Sequence, residues 1–375
     1  MWRKLVARMR FDGYGGKTNP LKRRPAPAAS PLAEIAFAPN PGNLRMFGYV
    51  PASAKAGAPL VVLLHGCGQT AAGYDLGAGW SALADRLGFA VLAAEQKAVN
   101  NPNTCFDWFL PDDITRGEGE AASIAAMVTT MLENHRLDPR RVFITGLSAG
   151  GAMTSVMLAT YPDLFAGGAI IAGLPFGAAV NVRDALETMR SAALKTPQAW
   201  GDKVRGASDF PGPWPRVSVW HGDMDAVVNV NNAKACVAQW ADVQGLALGD
   251  ANEQRVGNAL RLSWGDKLEL YTIPGLGHGT PIDSGDVGAP GPFILEAGIS
   301  STSRIAEFWG LAGQKPAARP KPAPKPASMR IVTPEPAPPH IETALESTVE
   351  VSAQHGRIET VIRKALKAAG LLKDR

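Results

Sequence analysis

Residues 138–162 read DPRRVFITGLSAGGAMTSVMLATYP. RVFIT is short and apolar on both faces, as a strand buried within a sheet should be, and AMTSVMLATY has the length and periodicity of a helix. Between them lies Gly146-Leu147-Ser148-Ala149-Gly150, a G-x-S-x-G placed in a strand-to-helix turn. That context lifts a serine hydroxyl above the carboxyl end of a sheet, and small residues at 146 and 150 let the backbone pass close to its neighbours. Ser148 is therefore a candidate nucleophile.

On either side of this stretch the same alternation continues. PLVVLLHG, FAVLAAEQ, GGAIIAG, RVSVWHG and LELYTIPG are strand-like, several of them apolar on both faces, and helix-length segments such as GEGEAASIAAMVTTMLENH separate them. The pattern predicts an α/β fold, a mostly parallel central sheet with helices on both faces. In such sheets the reactive groups gather beyond the carboxyl ends of the strands.

A serine hydroxyl is a poor nucleophile until a base takes its proton, and the base needs an orienting carboxylate. In this kind of sheet the acid follows the serine and the histidine follows the acid. Downstream of Ser148, only His221 and His278 fall within residues 31–312. His278 lies in the Gly-rich IPGLGHGTP after a strand-like run and is the expected general base. His221 closes VSVWH and is read as a strand-end residue shaping the loop that follows. In that loop Asp225 is the expected acid, with Asp223 as the alternative. The tetrahedral oxyanion needs two N–H donors. Ala149, directly after the nucleophile, supplies one; Cys67, in His65-Gly66-Cys67-Gly68-Gln69 after PLVVLL, supplies the other. Phe106, Trp108, Phe109 and Trp220 lie in motifs close to these residues and are candidates for lining a substrate pocket. This chemistry uses side chains and water, so neither cofactor nor metal is expected.

The 375 residues are 46% hydrophobic, enough for one large core with appendages. Forty glycines and 30 prolines follow no three-residue period, which excludes a collagen. No apolar run approaches the roughly 18 residues of a membrane-spanning helix. The net charge of +4 is unevenly distributed: residues 1–30 carry +7, residues 313–375 carry +5, and the middle carries −8. Two basic tails on an acidic body argue against nucleic acid as a partner of that body. Residues 1–30 are expected to be a basic, disordered arm and 31–312 the catalytic domain. Residues 313–340 form a Pro/Ala/Lys-rich linker. Residues 341–375 form a basic tail in which Ile358, Val361, Ile362, Ala365 and Leu366 share a helical stripe. Such a tail suits contact with a polymer granule, a surface or a protein partner, and a non-catalytic binding protein is the rival reading from another class. Residues 174–215, between nucleophile and acid, are where a cap would be inserted, with MRSAALKTPQAWGDKV as its core. Three cysteines, Cys67, Cys105 and Cys236, admit one bridge and lack metal-site spacing.

LHGCGQTAAGYD, NPNTCFDWF, DPRRVFITGLSAGGAMTSVMLATYPDLFAGGAIIAGLPFG, HGDMDAVVN and GLGHG together resemble the polyhydroxybutyrate depolymerase family of α/β-hydrolase esterases, related to feruloyl and acetylxylan esterases. The resemblance covers roughly residues 42–310. It implies an esterase acting on short-chain 3-hydroxyalkanoate polyester or its oligomers, with a carbohydrate-linked ester as the alternative. It also implies a nucleophile, acid and base at Ser148, Asp225 and His278, and a Cys67–Cys105 disulfide. Members are often secreted, whereas MWRKLVARMRFDGYGG has no apolar stretch of about seven residues or more. Both an extracellular and a cytoplasmic location are therefore carried forward.

Overall fold

Five consecutive residues, Leu60–Leu64, are buried without interruption, and so are the six of Ala90–Glu95 and the six of Val142–Leu147. A strand with no exposed face must lie inside a sheet covered on both sides. The computed structural model describes residues 29–312. The linker, the C-terminal tail with its expected helix, and all but the last two residues of the basic arm lie outside the described residues.

The strands are β1 (Ala33–Glu34), β2 (Arg45–Tyr49), β3 (Leu60–Leu64), β4 (Ala90–Glu95), β5 (Val142–Leu147) and β6 (Gly167–Ile171). They continue with β7 (Arg216–Gly222), β8 (Asn252–Val256), β9 (Ala259–Trp264) and β10 (Leu268–Ile273), and a small separate pair follows, β11 (Thr280–Ile282) and β12 (Ile294–Glu296). The main sheet runs β1-β2-β4-β3-β5-β6-β7-β10-β9-β8. The apolar runs noted in the sequence become its centre, β4-β3-β5-β6-β7-β10, with every neighbouring pair parallel. Antiparallel strands close both edges.

Each face of the sheet carries its own apolar layer. On one, helices Gly119–His135, Ala149–Thr160 and Asn231–Val243 bury Ile124, Met127, Met153, Val156 and Trp240 against the strands. On the other, Trp80 stacks on Trp309, and Trp309 on Phe143. Full burial of each such side chain contributes about 1.5–3 kcal/mol, which makes the sheet a rigid platform for its loops. Among the described residues no helix is long and apolar enough to cross a membrane.

The expected cap at 174–215 contains helices Val182–Ser191 and Pro197–Arg205. It is fastened to the flank of helix Asn231–Val243. Gln239 pairs with the Phe176 backbone and donates to Trp200 O, while Asn232 Nδ2 donates to Thr188 O. The strand order turns around β3: the chain passes from β3 to β4 on one side, then returns past β3 to β5 on the other. Such a reversal opens a crevice beyond the carboxyl ends of β3 and β5.

Candidate active site

Ser148 stands in that crevice at the end of β5, with φ 57° and ψ −116°. A non-glycine residue there carries strain of about 1–3 kcal/mol and persists only where its surroundings hold it. Ser148 N donates to Ile171 O at 2.9 Å, and Ser148 O accepts from Ala152 N at 2.8 Å. Gly150 explains the need for a small residue: a Cβ there would lie 2.2 Å from Leu64 O and 2.6 Å from His65 O. The turn is thus pressed directly against the loop that leaves β3. Ala149 begins the helix Ala149–Thr160, so its N–H lies among those with no acceptor inside the helix.

In the loop after β3 the other N–H groups are occupied. Gly66 N donates to Gln69 Oε1 at 2.9 Å, Gly68 N to Asn103 O at 2.8 Å and Gln69 N to Gly66 O at 3.1 Å. The Cys67 N–H donates to no protein acceptor among the described residues. Two features hold this loop. Cys67 is bonded to Cys105, with their Cα atoms 4.3 Å apart. His65 Nδ1 lies 2.8 Å from Gly66 O, and its Nε2 lies 3.1 Å from Gln96 N. A carbonyl only accepts and an amide only donates, so the ring carries its proton on Nδ1. Burial lowers the His65 pKa, which keeps it neutral in that role.

The expected acid and base lie on loops beyond β7 and β10. His278 Nδ1 and Asp225 Oδ2 are 2.7 Å apart, with only 7% of the His278 side chain exposed and none of Asp225. Asp225 Oδ1 accepts the N–H groups of Val227 and Val228, each at 2.8 Å. Burial pushes the Asp225 carboxyl up, but hydrogen bonds and charge from His221 and His278 outweigh it and hold the group well below the usual carboxylate range. Asp223 faces elsewhere, its Oδ1 accepting Gly275 N at 2.7 Å. No hydrogen bond joins Ser148 Oγ to His278 in this structure.

The aromatic candidates require correction. Phe106 and Trp220 are fully buried and cannot line a solvent-connected pocket. Trp220 sits on β7 opposite Tyr271 of β10, and the two rings stack at 3.8 Å. Alternation along β7 turns Trp220 into the core of one face. Phe106 packs in the core against His65, with ring centroids 5.1 Å apart. Trp108 and Phe109 pack edge to face and are 6% and 9% exposed.

Several contacts at the site were not evident in the sequence. Gln69, which accepts from Gly66, also donates through Nε2 to Pro292 O at 3.0 Å. The next residue, Phe293, has φ 61° and places its half-buried ring 6.0 Å from that of His278. His221, read as a loop-shaping residue, lies within 3.2 Å of Asp225 Oδ2. The one trio of ligand-type groups found together among the described residues is Asp107, Asp113 and Glu120, with carboxylate oxygens within 4.8 Å of one another. Protein donors already engage them: Asn101 Nδ2 on Asp107, Glu120 N on Asp113, and Gln96 Nε2 and Asp107 N on Glu120. Burial, then the neighbouring charges, raises Glu120 well above the ordinary carboxylate value. The same Gln96 amide donates to Cys105 O, so this trio braces the disulfide loop.

These groups are residue types that an acyl-transfer site would use. The family model for esterase PHB depolymerase matches residues 45–261. The poly(3-hydroxyalkanoate) depolymerase C of Paucimonas lemoignei is 47% identical over 287 residues, covering 74% of this chain and 69% of that protein. An acetylxylan esterase of Coprinopsis cinerea is 36% identical over 270 residues, covering 68% and 72%. Among solved structures, an acetyl xylan esterase from Aspergillus awamori aligns with a TM-score of 0.66 at 27% identity, over 75% of this chain and 99% of that one. The chain is a carboxylic ester hydrolase of the α/β-hydrolase fold and belongs to the esterase PHB depolymerase family.

Proposed function

We propose that the chain cleaves short-chain poly(3-hydroxyalkanoate), polymer or oligomer, through an acyl-enzyme on Ser148. The carrying observation is the 2.7 Å contact between His278 Nδ1 and Asp225 Oδ2, on the loops after β7 and β10, in a chain whose Ser148 stands in a strained turn after β5. His278 Nε2 takes the Ser148 proton as Oγ bonds to the ester carbon, and the carbonyl electron pair moves onto oxygen. The N–H groups of Cys67 and Ala149 stabilise that oxyanion, each donor contributing about 3–4 kcal/mol. The intermediate collapses with release of the alcohol, which His278 protonates. Water, deprotonated by His278, then attacks the acyl group and frees Ser148. A Ser148–His278 hydrogen bond would form when substrate is held, as such contacts commonly tighten only in the loaded enzyme.

The polyester reading is supported by the 47% identical depolymerase. The similarity to acetylxylan esterases favours a carbohydrate-linked ester as the second reading. A panel of amorphous poly(3-hydroxybutyrate), methyl ferulate and acetylated xylan separates the two, with Ser148→Ala as the control. Ser148→Ala should abolish turnover of a p-nitrophenyl ester in a protein that remains folded. Activity surviving in that variant would refute the mechanism. The basic tail is assigned to polymer adsorption: deleting residues 313–375 should weaken polymer binding and spare soluble-ester turnover.

A further inference from the structure

His221 lies at the end of β7, and its side chain has no solvent exposure. Its Nε2 is 2.8 Å from Val228 O and 3.2 Å from Asp225 Oδ2. A carbonyl oxygen accepts only, so Nε2 carries a proton, donated to Val228 O and within reach of Asp225 Oδ2. The ring's Nδ1 is buried and has no partner among the described residues. A buried polar atom left unpaired is destabilising, and its persistence in a native structure asks for an explanation.

The donors on Asp225 suggest one. Oδ1 is held by Val227 and Val228, which belong to the same loop, and Oδ2 is approached by His278 from a second loop. His221 is the one donor to Asp225 that comes from a strand of the main sheet, where it sits in register with Thr272 of β10. Bonds within the loop fix the carboxylate relative to the loop alone; a bond from β7 fixes it relative to the sheet that carries Ser148. We propose that His221 is a positioning residue, whose Nε2–H ties Val228 O and Asp225 Oδ2 to β7 and so keeps Oδ2 aimed at His278. This deepens the serine mechanism proposed above and rests on it.

The test compares His221→Leu, which keeps bulk but removes the donor, with His221→Gln, whose amide restores an N–H near the same place. On a soluble p-nitrophenyl ester, kcat in His221→Leu should fall about tenfold, as loss of a hydrogen bond to a charged group implies, with KM within about twofold. His221→Gln should recover to within about threefold of the parent. Undiminished kcat in His221→Leu, or equal losses in both variants with a raised KM, overturns the proposal. If His221→Leu does not fold, long-range 1H–15N correlation spectra of the unaltered protein decide. A protonated Nε2 supports the role, whereas the opposite tautomer, with Nε2 bare, rules it out. Ser148→Ala is run alongside. Activity there defeats the serine mechanism, while an inactive Ser148→Ala beside a fully active His221→Leu defeats the positioning role alone.

Discussion

Cys67 is bonded to Cys105, and this covalent link ties the loop after β3 to the loop after β4. It closes a separation of 38 residues, for which chain-entropy arguments give a stabilisation of about 3–4 kcal/mol. Cys105→Ser should lower the unfolding free energy by about that amount. It should also reduce kcat, by no more than the roughly 10²–10³-fold that accompanies loss of a whole oxyanion donor. Urea denaturation and steady-state kinetics, with thiol-reduced wild-type protein as a parallel sample, measure both.

Asp225→Asn should leave the fold intact and reduce kcat by about 10⁴-fold, the effect known where an amide replaces the acid of a serine triad. The amide cannot accept at both positions from His278 and His221 while also serving Val227 and Val228, so the imidazole loses its orientation. KM for a soluble ester should change little. Circular dichroism and kinetics on the purified variant check the two halves of this expectation.

Gly150→Ala should destabilise the protein by about 3 kcal/mol, since the new methyl meets the backbone oxygens of Leu64 and His65 rather than a side chain able to move. The denaturation midpoint should fall at constant slope, and activity should drop with it because the shift acts on the Ser148 turn.

Burial, with Asp113 nearby, raises the Asp107 carboxyl to about 6, against a smaller lowering by Asn101. Between the unfolded value near 4 and about 6, the folded protein therefore binds more protons than the unfolded chain, and stability falls as pH rises through that window. Asp107→Asn keeps an oxygen to accept from Asn101 and removes the titration. Its melting temperature should exceed that of wild type above pH 6 by the equivalent of about 1–3 kcal/mol, with the difference vanishing near pH 4. Thermal melts from pH 4 to 8 give the curve directly.

The parallel centre of the sheet was legible because runs such as LVVLL and AVLAAE are apolar on both faces, and few other environments accept that pattern. Its edges were not. NEQRV of β8 is almost wholly exposed and has no apolar face to announce a strand; it becomes one by pairing with β9. The site divides in the same way. Chain order nominates an acid and a base, but the contact between Asp225 and His278 spans 53 residues and depends on how two loops fold. Trp220 occupies the core side of β7 and Phe106 packs in the core against His65, placements that closeness in sequence to a reactive residue does not reveal. Gln69 and Phe293 gave no sequence signal at all, since their importance lies in contacts made 223 residues away and across a turn.

The reach of Gln69 to Pro292 has a temporal consequence. A ribosome emits the Ser148 turn and the Cys67 loop long before the segment that braces the Cys67 loop and bears His278. On the proposed mechanism, the growing polypeptide throughout that interval holds its serine without the means to use it, so hydrolytic competence arrives late in synthesis, all at once, rather than accumulating as the chain lengthens.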